Sequence, residues 1–264
     1  MSRIAGFVDS RQIPECLLSE LEGDVCIIGD ERTGVSWRVG PVAFEHYTSD
    51  EEPSPCLSAT RILFWQRIFR TDVPPGWRVP PFISNNHRIG IASIEKNYWR
   101  RWSQRAQRDR SIWLNKNDWH IEPGTPEAFL AAYPDTDKQR AYRRVTLKRF
   151  ARRVDILGDR VRIFFAYKNS SSAPQAGAAM LDLREHGKLF YESAFVLPEA
   201  KHELASTGLI NHCFAYGLSE NIPLFDLGNF WIPGSPASWK GFSAFKAKFG
   251  PEYITFARPL ARMV

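Results

Sequence analysis

Short apolar runs open the chain. Val25-Cys26-Ile27-Ile28 predicts a strand, and the alternation from Val35 to Val39 predicts a second, with residues 31–34 turning the chain between them. Residues 47–55 are acidic and carry proline, which predicts a surface loop, and the pairs Pro74-Pro75 and Pro80-Pro81 break the pattern again. From there the periods are clearer. Ser93 is placed to cap a helix over 94–109, whose wheel gathers Ile94, Tyr98, Trp99, Trp102 and Ala106 opposite Lys96, Arg100, Arg101 and Arg108. Asp135 or Asp137 is placed to cap a second helix reaching Arg153, with a poor apolar stripe and many basic residues, Arg143 and Arg144 among them.

Strand patterns then dominate, over 161–167, 177–183 and 189–197, the last ended by Pro198. A helix over 207–219 sets Leu209, Ile210, Cys213, Phe214 and Leu218 on one side. A strand over 224–227 ends in Gly228. A Gly-, Pro- and Ser-rich loop, a helix over 238–248 and a closing strand over 253–257 follow. This order predicts an α/β fold with a mixed, largely antiparallel sheet covered by helices.

Composition narrows the class. The 264 residues are 44% hydrophobic and 24% charged, as in soluble globular proteins. Eighteen Phe, nine Trp and eight Tyr exclude a chain that is mostly disordered. No run is long and apolar enough for a membrane-spanning helix, and Met1 to Gly6 open no secretory apolar segment. Cys16, Cys26, Cys56 and Cys213 lack metal-knuckle spacing and read as free, mostly buried thiols, which points to a reducing cytoplasm. The net charge of +6 suits an anionic partner.

Phosphate-loop, dinucleotide, nucleophile-elbow and zinc-protease motifs are absent. Glu199 and His202 have di-iron spacing, but the motif occurs once where such sites need it twice, so no metal is expected. Two residues stand out. In the last helix, Trp239, Phe242, Phe245 and Phe249 form an apolar arc, and Lys246 falls inside it at about 340° from Trp239. An ammonium there either snorkels to the surface or opens onto a cleft. Asp226 interrupts the run Leu224-Phe225-Asp226-Leu227 just before Gly228, which suits either the edge of a site or a turn cap.

Phe225-Asp226-Leu227-Gly228, a variable loop, Gly241-Phe242, then Phe245-Lys246 and Phe249-Gly250 resemble the closing signature of Fem-type transferases, peptidyl transferases of the GNAT-like superfamily. The resemblance covers residues 95–255 well. It implies a GNAT-like acyltransferase domain over 95–264 and a short, degenerate first GNAT-like unit over 1–94. It also implies that Phe245 and Lys246 stand where that family has its Phe-Lys pair. The chain has no helical arm of the kind many members carry. Where CoA-dependent relatives have a Gly-rich pyrophosphate loop, this chain has Glu199-Ala200-Lys201-His202-Glu203-Leu204-Ala205.

The resulting expectation is transfer of an aminoacyl group from aminoacyl-tRNA to an amine, either a peptidoglycan precursor or a small metabolite, without a bound cofactor. Lys246 is the candidate cation for the oxyanion, and Asp226 or Glu192 the candidate proton acceptor. Phe245, Tyr191, Ser193 and Trp231 are candidate substrate contacts; Arg100, Arg101, Arg108, Arg143 and Arg144 are candidates to face tRNA phosphates. An N-acyltransferase using acyl-CoA or an acyl-carrier protein stays open, as does a non-catalytic RNA-binding module built on the basic helices and their tryptophans.

Overall fold

The computed structural model of the chain describes residues 7–16, 26–28, 34–57, 60–68, 70–80, 87–133 and 140–264; for 11, 26–28 and 140–146 it describes the backbone alone. Its strands are β1 (Cys26–Ile28), β2 (Gly34–Val39), β3 (Val42–Thr48), β4 (Thr60–Gln66), β5 (His87–Ser93), β6 (Trp119–Gly124), β7 (Val161–Lys168), β8 (Ala176–Leu183), β9 (Lys188–Val196), β10 (Leu224–Asn229), β11 (Glu252–Phe256) and β12 (Leu260–Met263). Its helices are α1 (Gln104–Leu114), α2 (Pro126–Ala132), α3 (Arg140–Leu157), α4 (Pro198–His202), α5 (Ala205–Ser219) and α6 (Trp239–Ala247). Two compact units result. One joins the described residues up to Ile89 with Asn229–Gly241 and Tyr253–Val264; the other holds Gly90–Gly228 and Phe242–Glu252.

In the first unit the strands follow the order β1-β2-β3-β4-β12. The β1–β2 and β2–β3 pairs are antiparallel, β3 and β4 are parallel, and β12 returns antiparallel to β4. Gly40, at φ 58, opens the two-residue turn between β2 and β3, where an L side chain would be strained. Along β3, buried Ala43, Glu45 and Tyr47 alternate with half-buried neighbours, and Tyr47 joins Leu63, Trp65, Trp77 and Leu260 in the core. The fully buried Glu45 accepts the Tyr47 hydroxyl at 3.0 Å, the backbone N–H groups of Cys56 at 2.9 Å and Leu57 at 2.8 Å, and the Thr60 hydroxyl. The segment expected as a surface loop from residue 47 therefore starts inside a buried strand. β3 and β4 escape the sequence reading because bulky residues occupy both of their faces, and β12 because it is only four residues long.

In the second unit β6, β7, β8 and β9 form an antiparallel meander, and β10 lies parallel to β9 after the crossover through α4 and α5. All eight residues of β8 are buried, so the sheet is covered on both faces. On one face, Phe214 of α5 packs on Phe225 at 5.0 Å between ring centroids. On the other, Phe129 of α2 meets Phe150 of α3 at 5.1 Å and Phe195 at 5.6 Å. A Cβ on Gly177 would lie 2.6 Å from the Phe195 ring and 3.0 Å from the Phe165 ring, so only glycine lets these rings close over β8.

The expected helix over 94–109 is corrected. Ser93 ends β5, and the Ile94 N–H donates to the Pro223 carbonyl at 2.7 Å. Asn97 turns left-handed at φ 66, a short 3-10 turn spans Tyr98–Arg101, and α1 starts only at Gln104, capped by the Ser103 side chain. Tertiary hydrogen bonds to 223 and 248 outweigh the helical period there. The strand β6 and helix α2 lie in sequence between the two expected basic helices, and β5 lies ahead of the first, where no element was expected. The second basic helix runs from Arg140 to Leu157, four residues past Arg153, and its expected cap at Asp135 or Asp137 lies outside the described residues; the other expected strands and helices match within two residues.

Candidate active site

The parallel ladder between β9 and β10 runs from Leu224 opposite Lys188 to Asp226 opposite Phe190. β9 continues to Val196 and β10 to Asn229 beyond that last pair. The register of β9 against β8 steps from Tyr191 opposite Met180 to Ser193 opposite Ala179, so Glu192 is the extra residue of a β-bulge. The bulge re-aims the strand. Ahead of it, the Tyr191 ring meets Phe225 at 6.1 Å on the α5 face. Past it, Phe195 faces α2, and Glu192 reaches Arg149 and Arg153 of α3.

Lys246 lies where β10 leaves β9. Its side chain comes from α6 and its ammonium donates to the Leu227 carbonyl. It is 7% exposed, with Nζ 4.9 Å from the Phe242 ring centroid. Gly228 marks the junction. A Cβ there would lie 3.8 Å from Phe190 Cζ, 3.8 Å from the Tyr191 carbonyl oxygen and 3.9 Å from Lys246 Nζ. Burial pulls the Lys246 pKa from 10.5 down to about 8, against the opposing charge of Asp226. The wheel expectation needs one correction. The buried residues of α6 are Ser243 and Lys246, followed by Phe249, whereas Phe242 is 38% exposed. Lys246 is thus at the centre of the buried arc rather than at its margin.

Asp226 is 1% exposed and has both oxygens engaged: Oδ1 accepts the Gly228 N–H at 2.8 Å, and Oδ2 lies 3.3 Å from Lys188 Nζ. It caps the turn that Gly228 supplies at φ 68. Glu192 has a fully buried side chain. Arg149 reaches its Oε1 through Nε and Nη2, each at 3.1 Å, and Arg153 Nε lies 2.7 Å from its Oε2. The Arg153 guanidinium also lies 5.6 Å from the Phe190 ring centroid.

The other expected residues divide. Phe245 is half-buried and packs edge-on to Phe249 at 5.0 Å, and Phe249 in turn meets Trp102 at 4.9 Å. Ser193 is buried in β9 one residue past the bulge. The Tyr191 ring points to the α5 face with Phe225, away from Asp226, and burial pushes its phenol pKa up. Trp231 belongs to the first unit, where its indole donates to the Ser235 carbonyl at 3.2 Å and Lys240 Nζ lies 4.6 Å from its ring. Arg100 and Arg110 both lie against Trp99, at 5.6 and 5.2 Å, and Arg101 pairs with Glu95 at 2.7 Å. Arg108 is 3.7 Å from Asp109 and its side chain is 70% exposed. The side chains of Arg143 and Arg144 lie outside the described residues.

Three cations were missed. Lys188 reads as a turn residue after His186-Gly187, and Arg149 and Arg153 read as part of a solvated basic helix. Lys188 and Arg153 are in fact 0% and 1% exposed. The period-four spacing of Arg149 and Arg153 places them on one helix face, the one usable signal. Among the described residues no group of three or more His, Cys, Asp or Glu could hold a metal ion, and no helix is long and apolar enough to cross a membrane.

No sequence-family model matches the chain, and no curated protein matches it. Solved structures do. The crystal structure of FemX matches with TM-score 0.67 at 11% identity, over 95% of this chain and 90% of that one. The C-terminal domain (DUF2156) of an Agrobacterium fabrum chain assigned as a lysylphosphatidylglycerol synthetase matches with TM-score 0.55 at 12% identity, over 91% and 84%. L-PGS from Bacillus licheniformis matches with TM-score 0.50 at 12% identity, over 88% and 80%. These likenesses, with the antiparallel meander, the parallel fifth strand and the bulge between them, show that the chain has the Fem-type, GNAT-like fold.

Proposed function

We propose that the chain is an acyltransferase that moves an aminoacyl group from aminoacyl-tRNA to an amine acceptor. The observation that carries this reading is the buried Lys246 ammonium at the parting of β9 and β10, on the residue that resembles the Lys of the Fem-type Phe-Lys pair. The named neighbours, FemX, the domain assigned to a lysylphosphatidylglycerol synthetase and L-PGS, support the substrate class. A degenerate unit over 1–94 and a full GNAT-like unit over 95–264 draw support from a shared pattern of antiparallel strands followed by a parallel one, β1–β3 then β4 and β6–β9 then β10, although β12 of the second segment completes the first sheet and β5 of the first segment joins the second.

The reaction is aminolysis of an ester. The neutral acceptor amine attacks the donor's carbonyl carbon, the C–N bond forms, and the carbonyl oxygen takes the negative charge. Lys246 stabilises that oxyanion, and a low-dielectric surrounding strengthens its field. Collapse breaks the ester C–O bond, and the ammonium proton of the attacking nitrogen passes to the departing oxygen of the donor. Asp226 and Glu192 then hold their neighbours in position rather than acting as bases, because Lys188, the Gly228 N–H, Arg149 and Arg153 occupy their oxygens.

Donor choice favours tRNA over CoA. In the segment after β9, Glu203 accepts from Lys168, from Lys116 at 3.0 Å and from the Trp119 indole at 3.1 Å, which lowers its pKa to about 2. These bonds fix a segment, 199–205, that carries no glycine, so its backbone cannot wrap a pyrophosphate closely. Incubation with charged tRNA, and separately with acyl-CoA, followed by mass spectrometry of an amine acceptor, tests the reading. Product from acyl-CoA alone would replace the donor, and product from neither would remove the enzymatic reading.

A further inference from the structure

Arg67 follows the carboxyl end of β4 in the first unit and is 1% exposed. Its Nη2 donates to the Arg258 carbonyl at 3.1 Å, whereas Nε and Nη1 have no hydrogen-bond partner among the described residues. The Trp65 ring lies beside it, with the guanidinium carbon 5.7 Å from the centroid, and Arg70 lies at 5.7 Å from the same ring. The nearby acids are engaged elsewhere. Arg70 grips Asp72 through two bonds, Nε to Oδ1 at 3.0 Å and Nη2 to Oδ2 at 2.6 Å. Asp50 Oδ1 accepts the backbone N–H groups of Ile68 at 3.2 Å and Arg70 at 3.0 Å.

A guanidinium does not escape its desolvation cost by losing its proton under ordinary conditions. Burial nevertheless lowers the Arg67 pKa, with Arg70 adding a like charge, while Asp72 and Asp50 oppose the shift. A buried cation with two unmade donors is unstable by itself and becomes favourable when an anion supplies acceptors. Its place also fits. β3 and β4 are parallel neighbours, and open sheets bind ligands beyond the carboxyl ends of such strands.

We propose that Arg67 anchors an anion-binding site in the first unit, taking a carboxylate or phosphate oxygen onto one of its two open donors, Nε or Nη1. The exposed residues 70–73 border it, and the incoming anion competes with Asp72 for Arg70. Arg67 belongs to the first unit and Lys246 to the second.

The test uses the full chain in buffers of matched ionic strength containing sodium chloride, inorganic phosphate or acetate. Thermal unfolding and titration calorimetry are the readouts. Phosphate or acetate should raise the melting midpoint above that in chloride, and Arg67→Met should remove the rise and weaken anion binding at least tenfold. Whichever salt acts separates a phosphate site from a carboxylate site. In chloride Arg67→Met should melt no lower than the parent, because it removes an uncompensated buried charge. No rise with either salt, or a rise that survives Arg67→Met, would overturn the proposal. If Arg67→Met does not fold, Arg67→Lys decides: a folded variant with tenfold weaker binding upholds the site, and unchanged binding overturns it.

Discussion

Lys188 and Asp226 face each other across the parallel ladder, Nζ to Oδ2 at 3.3 Å, with 0% and 1% of their side chains exposed. Asp226 thus lies beside a buried ammonium of β9. The second ammonium nearby, Lys246, donates to the Leu227 carbonyl and feels the charge of the same carboxylate.

Lys246→Met keeps the stem and removes the charge. Turnover should fall about a hundredfold or more, the scale of losing one oxyanion-stabilising group. The melting midpoint should hold or rise, since a desolvated ammonium is lost. Steady-state rates and thermal unfolding on one preparation check this, and full activity in a folded variant removes Lys246 from the mechanism.

The same lysine sets a pH signature. Its folded pKa of about 8 lies below the ordinary 10.5, so between these values the unfolded chain binds the extra proton. Stability attributable to Lys246 should rise with pH across that window and be flat below it. Activity that needs the charged form should decline above pH about 8. Denaturant melts of parent and Lys246→Met at a series of pH values isolate the difference, and a difference that falls as pH rises from 8 to 10.5 contradicts the assignment.

Glu192 is predicted to hold the arginines in place. Glu192→Gln leaves Arg153, 1% exposed, without its carboxylate and should cost roughly 3–5 kcal/mol. Replacing both partners, Glu192→Leu with Arg153→Met, should recover much of that loss. A Glu192→Gln variant of normal stability whose rate loses its acid limb would instead make Glu192 a base.

Gly228→Ala should destabilise by about 1–2 kcal/mol through its left-handed φ of 68. The added methyl meets Phe190, the Tyr191 carbonyl and Lys246 at ordinary contact distances, so crowding adds little. Chemical denaturation measures the cost, and an unchanged midpoint would mean that the turn relaxes.

Charged tRNA should bind more weakly as salt rises, because displaced counterions set the slope. Arg100→Ala with Arg108→Ala should make that slope shallower, since both side chains lie on the second unit's surface. Filter binding at several salt concentrations reads it, and a salt-independent affinity would favour an acyl-carrier or CoA donor.

Periodicity and punctuation by themselves determined the strands over 161–197, the helix before Ser219, and the Asp226-Leu227-Gly228 turn ahead of the aromatic helix. These elements carry their own hydrophobic period and their own Gly and Pro stops, so local chemistry dictates them. The wheel also singled out Lys246, because an ammonium among Phe residues is costly wherever the helix packs. Tertiary structure alone decided the rest. The start of α1 moved from Ser93 to Ser103 because backbone groups at 94 and 103 bond to carbonyls at 223 and 248, far away in sequence. The bulge at Glu192 turned Tyr191 and Ser193 to opposite faces, and a two-residue period offers no sign of one extra residue. The pairing of Lys188 with Asp226, the burial of Arg153 and the unmade donors of Arg67 depend on which strands and helices meet. A charged residue reads the same in sequence whether its environment is water or a packed interior.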